Sequence, residues 1–211
     1  MYRLPLLAIL DRVEDTLEER RVELDSLDAA LGDGDHGSNL ARAVARLRQE
    51  HDELAAMPLG AALREIARAL REDMGGDGGR MYAALLAGMA DPAPADGELD
   101  LAIAVRMLDA GLAALRREGG VDVGAKTLLD VLAPVADALR RHGDEPDPEA
   151  LGAYLVAAAG HALHQTRDLP ARWGRTAALG DAGIGHIDPG ACSAALIVGA
   201  VIDALAERYR Q

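Results

Sequence analysis

Three carboxylates lie within eight residues of the segment LDAALGDGDHGSNLARA, which spans residues 27–43. Asp28, Asp33 and Asp35 would repel one another on this glycine-interleaved chain unless a positive group lies between them. Asp33 and Asp35 are two residues apart, so on an extended chain their side chains point to the same side. Hard oxygen ligands of this kind favour Mg²⁺ or Ca²⁺ over softer metals. We therefore expect magnesium here, bridging to phosphate oxygens and completed by waters.

The same segment raises two alternatives to a magnesium site. An EF-hand calcium loop is excluded because Val44 stands eleven residues after Asp33, where that loop requires a bidentate glutamate. A group of helix caps stays open as an alternative, in which Asp35 caps the helix that follows. Two histidines, His36 in this segment and His186 near the carboxyl end, are candidates to bind phosphate or to shape their turns.

Composition excludes several classes of protein. Half of the 211 residues are apolar, so the chain can bury a sizeable core. A net charge of −13 argues against a nucleic-acid partner, because no basic surface dominates to neutralise phosphates. No run approaches about 18 uninterrupted apolar residues, and we therefore expect no membrane span. The single cysteine, Cys192, leaves no disulfide framework, which favours a reducing cytoplasm and a small buried side chain at this position.

The apolar residues predict an all-α fold. They are mostly Ala, Leu and Val, with no Phe and 2% aromatic residues, which suits close-packed helices better than strands. Helical spacing recurs in eight segments, at about residues 6–24, 38–49, 58–70, 81–89, 101–115, 128–139, 148–165 and 189–208. No segment predicts a convincing strand. We expect one domain over residues 1–211, an antiparallel up-and-down bundle of eight helices.

The connections between these helices alternate between two kinds. Glycine-rich loops precede the second, fourth, sixth and eighth helices, with the sequences GDGDHG, GGDGG, GGVDVG and LGDAGIGHIDPG. Acidic loops with proline precede the third, fifth and seventh: HDELAAMP, DPAPADGE and HGDEPDP. In an up-and-down bundle every second connection lies at the same end, so the four glycine-rich loops would meet at one rim. Glycine backbone and positive helix N-termini would bind anions there, although glycines could also serve only to end helices.

Other residues with useful chemistry fall in or beside the same loops. Lys126, Thr127 and Arg175 would add two cations and a hydroxyl to this rim. Asp188 would cap the last helix or accept a hydrogen bond from a nucleotide sugar or base. Carboxylates for magnesium, glycine-rich backbone and cations are together the parts of a phosphoryl-transfer site. The site would be built without a Walker loop, since no GxxxxGK[ST] sequence occurs.

Three segments resemble the nucleotide-binding subunit of dihydroxyacetone kinase, the DhaL type: LDAALGDGDHGSNLARA, AKTLLDVLAP and GIGHIDPGACSA. Their order and spacing match that family, and the similarity covers essentially the whole chain. The resemblance implies a closed antiparallel barrel of eight helices that holds ADP or ATP through two Mg²⁺ ions at one end. It also implies that Asp28, Asp33 and Asp35 are the magnesium ligands.

The resemblance further implies which residues contact the nucleotide. A phosphate-facing arginine, Arg175, would take part in catalysis. The other contacts would be His36, Gly37, Ser38 and Asn39 around the phosphates, Gly76, Asp77 and Gly78 in the loop over them, Leu128 against the adenine, and Asp188, Pro189 and Gly190 in the turn that closes the site.

A free-standing chain of this length resembles the version that works with the bacterial phosphotransferase system. In that version the nucleotide stays bound as a coenzyme, a phosphocarrier subunit recharges ADP, and the γ-phosphoryl group passes to dihydroxyacetone on a separate subunit. Because this sequence contains no substrate domain, we expect a dihydroxyacetone-binding partner chain. The resemblance thus implies a phosphotransferase with an alcohol acceptor that is active only with its partner.

The chain departs from the family pattern in the loop over the phosphates. The family has Gly-Gly-Thr/Ala-Ser-Gly where residues 75–79 read Gly-Gly-Asp-Gly-Gly, so a hydroxyl is missing and Asp77 adds a carboxylate. Two like charges about 4 Å apart repel by about 1 kcal/mol in water and by several at a less polar surface. We expect Asp77 to turn away, to bind a metal, or to weaken nucleotide binding.

Three functional hypotheses follow. The first is an active phosphoryl-transfer subunit for dihydroxyacetone. The second is a kinase subunit for another small ketose or polyol, and the third is a degenerate, non-catalytic relative that regulates another protein. The altered loops at residues 75–79, 124–127 and 174–181 motivate the second hypothesis, and the change at Asp77 and Gly78 motivates the third.

Overall fold

The computed structural model describes residues 2–95 and 98–209 and shows an all-α protein, as predicted. The described residues form ten α-helices: α1 Leu6–Glu19, α2 Arg21–Ala29, α3 His36–Gln49, α4 His51–Ala56, α5 Leu59–Ala69, α6 Gly76–Ala90, α7 Leu101–Gly119, α8 Leu129–His142, α9 Pro148–Gln165 and α10 Pro189–Tyr209. A π-helical segment, Leu70–Met74, joins α5 to α6. Short 3₁₀ turns occur at Thr166–Asp168, Arg175–Ala178 and Gly180–Gly183.

The structure corrects the predicted number of helices. The first predicted helix is divided at Arg20, where the backbone leaves the helical region (φ −103°, ψ 6°) before α2 begins. The loop HDELAAMP contains the short helix α4, whose six residues are too few to show a periodicity. A two-residue ladder that was not predicted, β1 Tyr2–Arg3 against β2 Glu98–Leu99, is likewise too short to show strand alternation. Two residues of DPAPADGE, Asp96 and Gly97, lie outside the described residues.

Local signals define where several helices begin and end. Asp100 caps α7 by accepting a hydrogen bond from the N–H of Ile103 at 2.7 Å, and the helix ends at Gly120 in the left-handed region (φ 62°). Asp147 caps α9 in the same way, and Pro148 occupies the first helical position, where no backbone donor is needed.

The helices contact one another in a closed circuit. α1 packs against α3, and α3 packs against α5 and the π-helical segment; α5, α6, α7, α8, α9 and α10 then follow in chain order, and α10 returns to α1. The largest fully buried side chains include Leu17, Leu24, Leu40, Leu47, Leu54, Met81, Leu115, Leu129 and Val131. The buried apolar residues form one large cluster and a smaller one of Leu59, Leu63, Ala90, Leu99 and Met107. The circuit agrees with a barrel, and the exact antiparallel barrel arrangement stays a prediction.

One described helix, α10, is long and apolar enough to cross a membrane by length and composition alone. Its segment Pro189–Arg208 reaches a mean hydropathy of 1.8, and 44% of that window is buried inside the protein. Core helices of water-soluble proteins meet the same criterion, so this is weak evidence for a span. Asp203 interrupts the apolar residues of α10, so the helix contains no uninterrupted apolar run of about 18 residues.

Glycines allow α6 and α7 to pack with their backbones in close contact. A Cβ at Gly88 would lie 2.7 Å from the carbonyl oxygen of Ala110 and 2.7 Å from the Cβ of Ala114. A Cβ at Gly111 would lie 2.9 Å from the carbonyl oxygen of Leu85. These distances are shorter than side chains tolerate, so the crossing requires glycine on both helices.

We expect Gly88→Ala to lower the free energy of unfolding by about 1–3 kcal/mol, because the added methyl group forces α6 and α7 apart. Gly160→Ala in α9 is the matched control, since a Cβ there meets nothing within 4 Å. The control should raise the free energy of unfolding by about 0.5–1 kcal/mol through helix propensity. Urea denaturation of both variants measures the difference, and equal midpoints would contradict the close crossing.

Candidate functional site

The buried carboxylate of Asp28 organises the first glycine-rich loop. Its Oδ2 accepts hydrogen bonds from the N–H groups of Gly34 at 2.9 Å, Asp35 at 3.0 Å and His36 at 3.3 Å. Asp28 lies at the end of α2, and the loop folds back over it so that α3 begins at His36. The side chain is 6% exposed, so these charge-assisted bonds compensate a carboxylate removed from water.

The structure brings the three predicted magnesium ligands together. One oxygen of each of Asp28, Asp33 and Asp35 lies within 4.8 Å of the others, and this is the one such group found in residues 2–95 and 98–209. Asp35 stands directly before α3, yet its side chain makes no capping hydrogen bond, and N–H groups of the first turn of α3 donate to Asp28 and Asp25 instead. An all-carboxylate donor set of this size fits a hard divalent cation such as Mg²⁺.

Arg175 reaches this group from the loop before α10. Its Nη1 donates to Oδ2 of Asp33, and the guanidinium holds the pKa of that carboxyl below its usual range. The same contact raises the pKa of Arg175. Both side chains are largely exposed, at 60% and 49%, so the ion pair is screened by water and can exchange for another partner at low cost.

A cleft of about 320 Å³ opens beside the three carboxylates. Its lining consists of Asp28, Asp33, Asp35, His36, Asn39, Met74, Gly75, Gly76, Asp77, Gly78 and Arg175. The helices α3 and α6 both begin in this lining, at His36 and Gly76, so two positive helix ends adjoin the cleft. Arg175 is the one lysine or arginine among these lining residues.

The glycine-rich loops converge, as predicted. Asp33 in the first loop binds Arg175 in the segment between α9 and α10, which continues into the last loop, and Asp77 in the second loop accepts a hydrogen bond from the N–H of Arg175 at 2.7 Å. The same segment meets the end of the third loop, where the N–H of Arg172 donates to the carbonyl of Ala125 at 3.1 Å. The sequence alternation therefore identified one end of the molecule correctly.

The Asp77 carboxylate lines the cleft and points to the backbone of the segment before α10. Besides the bond from Arg175, its Oδ1 lies 3.6 Å from Nη1 of Arg80. Gly174 allows this approach, because a Cβ there would collide with the Asp77 carboxylate. The added charge at position 77 is thus directed at an N–H donor and an arginine.

His36 lines the cleft but is held from behind by α10. Its Nε2 lies 2.9 Å from the hydroxyl of Ser193, which also contacts the hydroxyl of Tyr82 at 2.7 Å and donates to the carbonyl of Gly190 at 3.0 Å. Removal from water lowers the pKa of His36 and favours the neutral ring. The imidazole is therefore fixed in orientation by a buried chain of hydroxyl groups.

Two residues predicted to surround phosphate are engaged in packing. Both the N–H and the hydroxyl of Ser38 donate to Asp25, at 2.8 Å and 2.6 Å. Gly37 is buried, and a Cβ there would collide with the carbonyl of Arg21 in α2. Gly37 and Ser38 fasten α3 to α2 and do not line the cleft, whereas Asn39 does. Their contact with phosphate stays a prediction.

Lys126 faces the interior and does not supply a cation to the cleft. It is 2% exposed, and its Nζ donates to the carbonyl oxygens of Thr166 at 2.5 Å, Leu169 at 3.2 Å and His186 at 2.5 Å. Burial lowers the pKa of this ammonium. The prediction of two cations at the rim is therefore wrong for Lys126, and Arg175 is the one of the two that lines the cleft. Lys126 instead connects the segment before α8 to the segment before α10.

The predicted adenine side lies at the start of α8 and α10. Leu128 is 3% exposed, and its backbone N lies 3.8 Å from the position of a Cβ at Gly190. Asp188 is buried, and its Oδ2 accepts a hydrogen bond from the N–H of Ala191 at 2.6 Å, which caps α10. Leu128, Asp188, Pro189 and Gly190 do not line the cleft of the carboxylates, and their contact with a nucleotide stays a prediction.

The sequence profile of the DAK2 domain matches residues 30–203. The chain belongs to the DAK2 domain family. The ADP-binding subunit DhaL of PEP-dependent dihydroxyacetone kinase 1 from Listeria innocua is 32% identical to this DAK2 protein over 188 residues, which cover 89% of each chain. The corresponding DhaL subunit from Escherichia coli is 31% identical over 87% of this chain and 88% of the relative.

Longer proteins contain a similar region. The crystal structure of the dihydroxyacetone kinase of C. freundii matches 99% of this chain with a TM-score of 0.72 and 25% identity, and the match covers 36% of that kinase. Its complex with AMP-PNP and Mg²⁺ gives a TM-score of 0.71 at 26% identity. L-Erythrulose 1-kinase of Mycolicibacterium smegmatis is 31% identical over 93% of this chain and 34% of its own length.

Sequence reasoning missed the residues that brace the site. Asp25, which holds Ser38, lies three residues before Asp28 on α2, and this helical spacing was a usable signal. Ser193, which holds His36, and Tyr82, which contacts Ser193, are 157 and 46 residues from His36 along the chain. No local pattern predicts such contacts, because they depend on how the helices close around the core.

The buried Asp188 carboxyl predicts a pH dependence of stability. Burial raises its pKa to about 7 from a model-peptide value of 3.8, so the folded protein binds a proton that the unfolded chain has lost. The free energy of unfolding must therefore fall as the pH rises between these two values. Asp188→Asn keeps an oxygen for the N–H of Ala191 and should remove this fall. Urea denaturation at pH 5, inside this window, and at pH 8, above it, compares the two proteins.

The control for this experiment is Asp144→Asn, which changes an exposed carboxylate in the loop before α9. It should keep the wild-type dependence on pH. Equal pH dependence of wild type and Asp188→Asn would contradict the raised pKa.

Proposed function

We propose that this chain is the nucleotide-binding subunit of a dihydroxyacetone kinase. It would pass the γ-phosphoryl group of magnesium-bound ATP to dihydroxyacetone held on a partner subunit, and ADP would remain on this chain. The observation that carries the proposal is the meeting of three carboxylates, two helix N-termini and Arg175 around one cleft. The DhaL subunits that the chain resembles are named as ADP-binding subunits of such kinases.

The carboxylates of Asp28, Asp33 and Asp35 would hold the magnesium, and we propose two ions. Bound magnesium would neutralise phosphate oxygens and orient the γ-phosphoryl group for transfer. Asp28 is preorganised for this role, because three backbone donors fix its Oδ2 before any ligand arrives. Asp33 becomes fully available only when Arg175 releases it.

The remaining lining residues would bind the phosphates. N–H groups at the start of α6, from Gly76 to Gly78, offer donors to anionic oxygens, and the side chains of His36 and Asn39 line the same cleft. Arg175 would turn from Asp33 to the phosphates and stabilise the charge that develops during transfer. We place the adenine beside Leu128 and the turn at residues 188–190, which adjoin each other at the start of α8 and α10.

The proposal includes a partner, since the relatives are named as subunits of kinases. A dihydroxyacetone-binding subunit would supply the acceptor hydroxyl, and a phosphocarrier subunit of the phosphotransferase system would recharge the nucleotide. We propose a cytoplasmic protein of one domain, without a nucleic-acid partner or a membrane span. A kinase subunit for another small ketose is the second candidate, favoured by the resemblance to L-erythrulose 1-kinase.

Loss of one metal ligand tests the site directly. We expect Asp33→Asn to weaken Mg-ADP binding by about tenfold or more, a loss typical of removing a group that holds a metal. The control Asp144→Asn removes the same charge from an exposed position outside the cleft and should bind like wild type. Isothermal titration measures both affinities. No heat from folded wild-type protein at millimolar Mg-ADP would overturn the proposed function.

Arg175→Gln should change two affinities in opposite directions. Without nucleotide, Mg²⁺ alone should bind about two- to fivefold more tightly, because an exposed ion pair worth up to about 1 kcal/mol no longer competes for Asp33. Mg-ADP should bind more weakly, because a cation that faces the phosphates is lost. Isothermal titration with each ligand separates the effects. A variant that weakens both affinities would show that Arg175 supports the carboxylates and does not compete with magnesium.

A further inference from the structure

The arginine that lines the cleft sits on an exposed turn whose Trp173 side chain packs against the core. This arginine turn comprises residues 173–176 and is closed by a bond from the hydroxyl of Thr176 to the carbonyl of Trp173 at 3.0 Å. Gly174 adopts the left-handed region (φ 61°), and both Gly174 and Arg175 are exposed. Among the described residues, the backbone of this turn makes one hydrogen bond to another helix, from the N–H of Arg175 to Asp77 at 2.7 Å.

Asp77 is itself held in place on α6. It lies in the first turn of the helix, where a negative charge is favourable. Its Oδ1 lies 3.6 Å from Nη1 of Arg80, and Nε of Arg80 donates to Glu118 of α7 at 2.9 Å. The guanidinium of Arg80 also lies 5.9 Å from the ring centre of Trp173, within reach of a cation–π contact. Arg80 therefore connects Asp77 to both α7 and the arginine turn.

The fit between Asp77 and the turn is close. A Cβ at Gly174 would collide with the Asp77 carboxylate, so the turn lies directly against it. The Asp77 side chain is 26% exposed. The guanidinium of Arg175 does not bind Asp77 and donates to Asp33 instead. Asp77 thus contacts the backbone of the turn and leaves the Arg175 side chain free to act in the cleft.

We propose that Asp77 is a positioning residue, which fixes the arginine turn across the cleft and so sets where the Arg175 guanidinium acts. Position 77 is one of those at which the chain departs from the family pattern, and a small hydroxyl or methyl side chain there would not present a carboxylate to the turn. The effect on the turn is independent of any ligand. Its consequence for phosphoryl transfer rests on the proposed function.

The single tryptophan of the chain, Trp173, reports on this turn. We expect Asp77→Ala to shift Trp173 emission to longer wavelength and to raise its quenching by acrylamide, in protein without nucleotide. Asp77→Asn keeps an oxygen that can accept from the N–H of Arg175, so its emission and quenching should stay close to wild type. The matched control Asp91→Ala removes a carboxylate at the opposite end of α6, 75% exposed and paired with Arg64, and should leave Trp173 unchanged.

Turnover of the complex reconstituted with a dihydroxyacetone-binding subunit gives the second measurement. Asp77→Ala should lower kcat by about tenfold or more, since misplacing a catalytic group by about 1 Å can cost up to a hundredfold. The KM for dihydroxyacetone should not change, and Asp77→Asn should restore most of kcat. The thermal midpoint of each variant, measured alongside, shows that the fold is retained.

Two results would overturn the positioning role. The first is that Trp173 emission and quenching in Asp77→Ala equal those of wild type. The second is that Asp77→Ala keeps the wild-type kcat although its Trp173 fluorescence shows that the turn has loosened. Asp77→Asn behaving like Asp77→Ala in fluorescence would also overturn the role of the hydrogen bond. Wild-type protein that binds no Mg-ADP would contradict the proposed function alone, because the fluorescence comparison needs no nucleotide.

Discussion

The geometry of the cleft depends on one buried carboxylate, that of Asp28. Three backbone N–H groups converge on its Oδ2, and this contact folds the loop so that Asp33 and Asp35 come beside it. A buried carboxylate without such donors would be strongly disfavoured. The same contact engages the first N–H of α3, so the helix end that stays open to an anion in this cleft is that of α6, at residues 76–78. Charges of both signs are thereby arranged before any ligand is present.

The fold was predictable where the sequence carries a long periodic signal. Residues 148–165 and 189–208 were predicted as helices within about one residue of their bounds, because each combines a proline start with many turns of apolar spacing. The division at Arg20 and the short α4 were not predictable, since neither interrupts the apolar pattern for long enough. Helix α6 begins at Gly76, five residues earlier than expected, because tertiary contacts override the low helix propensity of GGDGG.

The site was predictable as far as local spacing reaches. The three aspartates and the alternation of loops are local patterns, and they led to one end of the molecule. Lys126 was misjudged, because sequence shows that a cation lies near the rim but not whether it faces inward. The sequence predicted that Asp77 lies near the phosphates. It did not predict the contact of Asp77 with the backbone of Arg175, because the two positions are 98 residues apart. Contacts at such separation follow from closure of the helical circuit.

Lys126 is the only lysine of the chain, and its enclosure has a chemical consequence. All other fixed positive charges on side chains belong to arginine, which stays ionised at any pH that proteins tolerate. Reagents that acylate amines therefore find no accessible side-chain target on the folded molecule. Because three carbonyl oxygens surround the Lys126 Nζ, its acylation would mark those molecules in which the segment around Thr166 and His186 has opened.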